Sequence, residues 1–523
     1  MSAAWAAIVS RSCAGNAAKS GMRRISSAVI IPSGHWHASG VDLLTVRAAA
    51  AAAGVEALDM NQFAKLQARE EAGRPIRVAL AGAGKFGTMI LAQLRLMRGV
   101  RLAVLADLNV ERARSAAVRA GWAPEQFARA ESASAANDVS ATGRTALVPA
   151  GEIAAESEID VLIEATGFVE AGALHAYRAI EAGHHVIMVT VEADVVVGPI
   201  LHRLARRMGV VYSMAYGDQP ALVCELIDWV RTSGFRLVAA GKGTKFLPEY
   251  RRSTPDTWHV HYGFTPEEVE RGGFNGRMFN SFLDGTKSAI EAAAIVNATG
   301  LGISEGGLSF APAPVEQLAS VMCPQAAGGV LEHEGMVDIV TCMNADGTFV
   351  PNHLRWGVFV TFTSDSEYSR ACWPEYGVAT DPSGRYAALW RPYHFIGLEI
   401  GPSIASVALE GEATGAPAYG PLAEVVCATR RPMKAGESID GEGGYAAYGT
   451  VVPGERARSE RLVPMGLATG LKLNRDVEAD HAIGEADVTW DESSFLWRLR
   501  REQERVFGEP HEGRVPLPAV EPR

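Results

Sequence analysis

The segment that most constrains this chain is Gly82-Ala83-Gly84-Lys85-Phe86-Gly87. It is a G-x-G-x-x-G turn between the apolar run Ile76-Arg77-Val78-Ala79-Leu80 and a stretch with Ile90, Leu91, Leu94 and Met97 at helical spacing. In a chain with 54 glycines the triplet alone says little. The strand before it and the helix after it give it meaning. Gly82 permits a tight turn, Gly84 lets the backbone approach a pyrophosphate, and Gly87 lets the helix pack on the strand. The helix N-terminus adds amide donors and partial positive charge. The pattern predicts a nicotinamide dinucleotide seated on Gly82, Gly84, Lys85, Phe86 and Gly87. Asp107 closes the next strand, 101–106, where a carboxylate accepts from ribose hydroxyls and favours NAD. Arg112 and Arg114 follow it and offer a cradle for a 2′-phosphate instead, so NAD and NADP both stay open.

Further short apolar runs at 161–164, 185–188 and 210–213 alternate with helical stretches at 170–183 and 194–208. Strands alternating with helices predict an α/β Rossmann domain, a doubly wound parallel sheet, over 60–216. Glu164, Thr166 and Gly167 end one of these strands on the ligand-facing edge and are expected to line the cofactor; Glu164 reads equally well as a carboxylate binding backbone amides. After Tyr216 the texture changes to an α+β substrate domain over 217–400, with helices near 219–232 and 285–298. A Gly-, Ala- and Pro-rich stretch at 401–420 marks a boundary, and 421–490 reads as a small all-β module. The Pro-rich tail 509–523 reads as disordered. Residues 1–59 carry no acid before Asp42, which mimics a transit peptide; a misplaced start or a disordered extension is the favoured reading, with Met60 as an alternative start.

Bulk properties exclude several classes. A net charge of −11 argues against nucleic-acid binding, which needs clustered basic residues. The six cysteines form no C-x-x-C pair, so neither zinc nor a disulfide framework is expected and a reducing cytoplasm fits. No apolar run reaches the roughly 20 residues that span a bilayer.

Two stretches, Asp160-Val-Leu-Ile-Glu-Ala-Thr-Gly167 and His175-Ala-Tyr-Arg-Ala-Ile-Glu-Ala-Gly-His-His-Val186, resemble the nucleotide domain of homoserine dehydrogenases. Tyr216-Gly-Asp-Gln-Pro-Ala221, Gly241-Lys-Gly-Thr-Lys-Phe-Leu-Pro248, Ser253-Thr-Pro255 and Phe279-Asn-Ser-Phe-Leu-Asp-Gly-Thr-Lys287 resemble a distinct branch of that superfamily, the 1-deoxy-D-xylulose 5-phosphate reductoisomerase-like (DXR-like) oxidoreductases. Ala428-Thr-Arg-Arg-Pro-Met-Lys-Ala-Gly-Glu437 with Gly441-Glu-Gly-Gly444 resembles a SAF domain, a β-clip module. The resemblance covers roughly 60–500. It implies an NADPH-dependent enzyme that isomerises and reduces a phosphorylated deoxypentulose toward isoprenoids, or acts on a related polyol. Homoserine dehydrogenases place a lysine after the strand matching 185–188; here Val189-Thr-Val-Glu-Ala-Asp194 has none, which speaks against homoserine oxidation.

Reductive isomerisation needs a cation to polarise oxygen, positive groups for phosphate, and a facing hydride donor. Glu192 and Asp218 are the carboxylates expected at the site, either hydrogen-bonding hydroxyls or binding magnesium or manganese. Capping of the following helix is an equal reading for Asp218, and a helix-start role is preferred for Asp194. Lys242 and Lys245, in a Gly-rich segment, are expected to hold phosphate or act as acids, with Arg251 and Arg252 secondary. Asp284 and Lys287, at i,i+3 spacing beside Asn280, are expected to meet, either around a substrate hydroxyl or as a helix-start pair. His259 and His261 read as one face of a strand without a third metal ligand. Trp373, Trp390 and Tyr393 read as core, and Arg430, Arg431 and Lys434 as a solvated patch. The expected partner is a small molecule, a phosphorylated sugar or polyol, with no nucleic acid or membrane. A homo-oligomer is the common state for such sheets. Two further readings stand beside this one: a simple dehydrogenase without rearrangement, and a non-enzymatic dinucleotide sensor.

Overall fold

The structure is a computed structural model, and it describes residues 61–508 other than 273 and 491. The extension 1–59 and the tail 509–523 lie outside the described residues. Seven strands form the first sheet: β1 (Ile76–Ala81), β2 (Val100–Ala106), β3 (Phe127–Arg129), β4 (Thr145–Val148), β5 (Val161–Glu164), β6 (His185–Met188) and β7 (Tyr212–Met214). Their order is β3-β4-β2-β1-β5-β6-β7, and every pairing is parallel. The predicted Rossmann-type sheet is therefore present: β1, β2, β5, β6 and β7 match the expected strands with small boundary shifts, whereas β3 and β4 lie outside the expected set. Successive strands are added to one side of β1 as far as β4 and to the other side from β5 onward. The strand order thus switches at β1 and β5, and the crevice beyond the carboxyl ends at such a switch point is where open parallel sheets bind ligands.

The helices that bear on the site are α1 (Lys85–Leu94), α2 (Val110–Arg119), α3 (Val169–Glu181), α4 (Val191–Met208), α5 (Gln219–Thr232), α6 (Gly276–Leu283), α7 (Thr286–Thr299) and α8 (Phe495–Gly508). Helix α4 begins three residues earlier than its apolar spacing predicts, which places both Glu192 and Asp194 in its first turn. No described helix is long and apolar enough to cross a membrane. The five described cysteines are free thiols.

The second sheet has six strands in the order β12-β13-β11-β8-β10-β9. They are β8 (Arg236–Thr244), β9 (Ala311–Pro312), β10 (Met336–Thr341), β11 (Val358–Thr363), β12 (Ala379–Thr380) and β13 (Tyr386–Arg391). Central β8 runs parallel to β10 and antiparallel to β11. Helices α5 and α7 lie on this sheet, and α7 is buried along nearly its whole length.

Residues 421–490 do form short strands, β14 (Ala423–Thr429), β15 (Ala447–Pro453), β16 (Lys472–Leu473) and β17 (Val488–Thr489). They make two two-stranded ladders linked by isolated bridges such as Val426–Pro464 and Ala428–Ala482, and they share their core with the helices of the preceding segment. Ala423, Val425, Cys427, Met433 and Ile439 sit in one apolar cluster with Leu222 and Val223 of α5 and Ala292–Val296 of α7. Helix α8 then ties β14 to α4, because buried Arg500 pairs with Glu424 and donates to the Val196 carbonyl at 3.1 Å.

Three local expectations are corrected. Residues 258–262 are helical, so His259 and His261 do not share a face, and His261 leans on the Tyr250 ring instead. Tyr393 is no core residue; it is 45% exposed and stacks on Phe395. Arg430 is no solvated patch residue but is 4% exposed. Arg431 and Lys434, by contrast, do lie in exposed pairs, with Glu437 at 2.7 Å and Asp476 at 2.8 Å.

Candidate active site

The glycine turn has the shape that a pyrophosphate needs. Gly82 adopts φ 97°, and a Cβ there would lie 2.6 Å from the Ala165 carbonyl oxygen. A Cβ on Gly87 would run into the Gly82 carbonyl, so helix α1 packs closely only because Gly87 has none. Gly84 faces open space, and as N-cap of α1 it leaves the first amides without a side-chain cap. Helix α2, by comparison, is capped by Asn109. Uncapped amides beside an open glycine form an anion cradle, and these residues fit a dinucleotide phosphate. Exposed Lys85 borders it, while Phe86 turns partly into the core.

Asp107 buttresses this turn. Its carboxylate accepts from Ala83 N at 3.0 Å and Asn109 N at 2.8 Å, and both oxygens accept from Arg112 Nη2 at 2.9 and 3.0 Å. Its acceptor sites are thus filled from within the chain. Arg112 spans outward, with 61% of its side chain exposed. Arg114 reaches the Pro124 carbonyl instead. Glu164 is 0% exposed, so it does not line the cofactor crevice. It accepts from Thr166 N at 3.2 Å and from the Thr166 and Thr190 hydroxyls, and the Thr190 hydroxyl accepts from Gly167 N at 3.0 Å. Glu164 therefore shapes the Thr166–Gly167 loop from below, as its second reading anticipated.

Beyond the carboxyl ends of β6 and β7 a charged cluster forms. Glu192, in the first turn of α4, pairs with Lys287 from α7. Lys242 of β8 pairs with Glu291, one turn further along α7, and both are buried. Asp218 caps α5 through Gln219 N at 2.8 Å and faces Glu291, Lys287 and His394. Glu442 accepts from Ser281 of α6 and faces Glu192, Lys287 and Asp284. Burial pushes the Asp218 carboxyl up to about 6, with Glu291 adding to it and Lys287 opposing. Burial alone would lower the Lys287 ammonium, but Glu192, Glu291, Asp218 and Glu442 outweigh it and hold it well above its ordinary value. The metal reading of Glu192 and Asp218 finds no support: Glu192 pairs with the Lys287 ammonium, which Asp218 also faces, and among the described residues no three metal-binding side chains come together.

Two expected contacts go elsewhere. Asp284 does not meet Lys287; it pairs with buried Arg430 at 2.6 Å and accepts from Thr286 N at 2.8 Å. The α6–α7 junction turns through Gly285 at φ 92°, which swings Lys287 toward α4. Lys245 is apart from Lys242, because successive side chains leave a strand on opposite faces. It donates to the His261 carbonyl at 2.5 Å and lies over the rings of Tyr262 and Phe349. Burial, and then Arg355, lower its ammonium below the usual range. Asn280 is wholly buried and donates to the carbonyls of Ser253 and Gly443, a structural role. Arg252 pairs with Asp480 at 2.5 Å, and Arg251 lies over the rings of Phe246 and Tyr448. The sequence reading missed Glu291 and Glu442. A single acid in the Ala-rich run Ser288–Ala294 was the available signal for Glu291, as was a lone acid among glycines at 441–444 for Glu442.

Residues 217–400 match the family model described as oxidoreductase DRL, catalytic domain. No curated protein matches the chain. Among solved structures, it is similar to an NAD binding oxidoreductase from Klebsiella pneumoniae (19% identity, 34% of this chain and 47% of that one, TM-score 0.24). It is also similar to a myo-inositol dehydrogenase from Corynebacterium glutamicum (15% identity, 34% and 49%, TM-score 0.24). A third is KijD10, a 3-ketoreductase from Actinomadura kijaniata in complex with NADP (18% identity, 33% and 49%, TM-score 0.22). The chain spans about half the length of the solved structures it matches.

Proposed function

We propose that the chain is an NAD(P)H-dependent oxidoreductase that interconverts a carbonyl and a CH–OH group on a small polyhydroxylated substrate. One observation carries this reading. The open, uncapped amides at Gly84 and the Glu192–Lys287–Asp218 cluster both lie at the carboxyl edge of one parallel sheet, the phosphate end beside β1 and the charged end beyond β6 and β7. A bound nicotinamide would supply hydride chemistry there. The chain's own residues orient the substrate: Glu192 and Asp218 accept from its hydroxyls, and the Lys287 ammonium stabilises negative charge growing on its oxygen. NADPH is the preferred cofactor in this reading, because Asp107 is already filled and Arg112 presents a guanidinium beside it.

The finer reading is reductive isomerisation of a sugar phosphate such as 1-deoxy-D-xylulose 5-phosphate to 2-C-methyl-D-erythritol 4-phosphate. It rests on the motif resemblance within 216–287 and on the Lys245, Arg355 and Arg251 cations around the rings of Tyr262 and Phe246, a supply of positive charge for a phosphate; the oxidoreductase DRL match carries only the broader oxidoreductase reading. Dehydrogenation without rearrangement is the second reading. Lys287 favours it, since it brings from α7 the ammonium that the segment after β6 lacks. The test is turnover by purified protein with NADPH or NADH and a panel of hydroxyketones, aldoses, polyols and their phosphates, with and without magnesium or manganese. A branched product supports isomerisation, and an unbranched alcohol supports the second reading. No cofactor consumption with any member rejects both. Arg112→Ala is expected to weaken NADPH by about tenfold or more and NADH little; equal weakening rejects the assignment of Arg112.

A further inference from the structure

Building on the oxidoreductase reading above, we propose that Glu442, delivered by the C-terminal segment, is the acid that protonates the substrate oxygen. The residue lies outside the matched catalytic domain, 217–400. The turn that carries it is built for close approach. Gly441 and Gly443 adopt φ 87° and 62°, and a Cβ on Gly443 would run into the Arg277 carbonyl of α6. Asn280 donates to the Gly443 carbonyl at 3.0 Å, and Arg277 pairs with Asp440 at 3.0 Å. Pressed onto α6 in this way, the turn directs the Glu442 carboxyl to Ser281 and into the cluster of Glu192, Lys287 and Asp284.

The neighbouring groups are poorer proton donors. Lys287 is held charged by the surrounding carboxylates, so its proton is not readily given up. Lys242 is locked to Glu291, and Asp284 is held by Arg430 and Thr286. Asp218 gives only Oδ1 to the cap of α5; burial pushes its carboxyl up to about 6, and the capping amide favours its charged form. Among the described residues Glu442 has one hydrogen-bond partner, the Ser281 hydroxyl, and burial, reinforced by Glu192 and opposed by Lys287 and Ser281, pushes its carboxyl up to about 7. A general acid works best with its proton poised near the working pH.

In the reducing direction the co-reactant is a reduced nicotinamide dinucleotide. As hydride reaches the carbonyl carbon, the C=O π pair moves onto oxygen. The O–H bond of Glu442 breaks, and its proton forms the O–H bond of the product alcohol. The carboxylate left behind faces Lys287 and regains a proton from water. Oxidation runs the same steps backward, with Glu442 as base.

The test compares wild type with Glu442→Gln and Glu442→Asp, after melting curves show all three folded. Wild-type kcat/KM for carbonyl reduction is expected to fall as pH rises through about 7. Glu442→Gln is expected to lose roughly 10²-fold or more in kcat and to lose that pH break, with NADPH affinity by fluorescence unchanged. Glu442→Asp recovers part of the rate. Wild-type turnover with an unaltered rate and pH break in Glu442→Gln overturns the inference and keeps the oxidoreductase reading. An infrared difference between wild type and Glu442→Gln needs no turnover. A carboxylic acid band that titrates near neutrality supports Glu442, and its absence overturns it, even if an inactive wild type has already rejected the broader reading.

Discussion

Replacing Arg430 with methionine removes the cation that compensates Asp284 in the interior. The two side chains are 3% and 0% exposed. One Arg430 nitrogen, Nη2, lies 2.6 Å from Asp284 Oδ2 and 2.8 Å from the Ala447 carbonyl, and Nη1 reaches the Arg251 carbonyl. Methionine keeps much of the stem and none of the donors. Breaking a buried pair from one side costs about 3–5 kcal/mol, because the remaining charge is stranded. Burial already raises the Asp284 carboxyl despite Arg430, and loss of Arg430 raises it further. An acid whose folded pKa is raised binds its proton more tightly when folded, so its penalty is absent below the unfolded value and grows as pH rises toward the folded value. The deficit of Arg430→Met is therefore expected to be small near pH 4 and to reach a plateau at alkaline pH. Urea unfolding of Arg430→Met, Asp284→Asn and the double variant at several pH values measures it. The double variant is expected to recover about 2 kcal/mol or more of the summed losses. Additivity of the single variants within about 0.5 kcal/mol, or a deficit independent of pH, would refute the reasoning.

Three other outcomes follow from the geometry. Gly84→Ala is expected to leave the melting temperature within a few degrees of wild type, because its φ is −73° and no atom lies within 4 Å of the added carbon, while NADPH affinity falls about tenfold or more by fluorescence titration. Asp194 is buried, its Oδ1 accepts from the Tyr212 hydroxyl at 2.9 Å, its Oδ2 has no hydrogen-bond partner among the described residues, and burial pushes its carboxyl up to about 7. Wild-type stability should therefore decline by up to about 1.4 kcal/mol per pH unit between pH 4 and 7 through this group, and Asp194→Asn should flatten that slope in urea titrations. Lys287→Met strands Glu192 and is expected to lower kcat with any substrate by about 10²-fold while NADPH binding persists; a fall in NADPH affinity alone would contradict its placement at the substrate end.

The nucleotide half was legible because its signals are local. Apolar runs of strand length, helical spacing after Gly87 and the three glycines act within a few residues of one another, and they lead directly to β1, α1 and the uncapped phosphate cradle. The same locality explains the misses. An i,i+3 spacing suggested that Asp284 meets Lys287, but Gly285 breaks the helix between them and each finds a partner far along the chain. Short strands suggested a small all-β module at 421–490, and short strands do form there, but strand pattern carries no record of which apolar face a strand covers, so their packing on α5 and α7 was not legible.

The sequence by itself determined the parallel sheet and its glycine turn, because period and glycine placement act through backbone sterics over short range. Tertiary structure alone decided which charges meet. Glu192 pairs with Lys287, Lys242 with Glu291 and Asp284 with Arg430, and Glu442 enters the cluster from a turn far along the chain. Burial makes an unpaired charge expensive, so the packing that excludes water also selects the partner, and that choice depends on every element around the cluster.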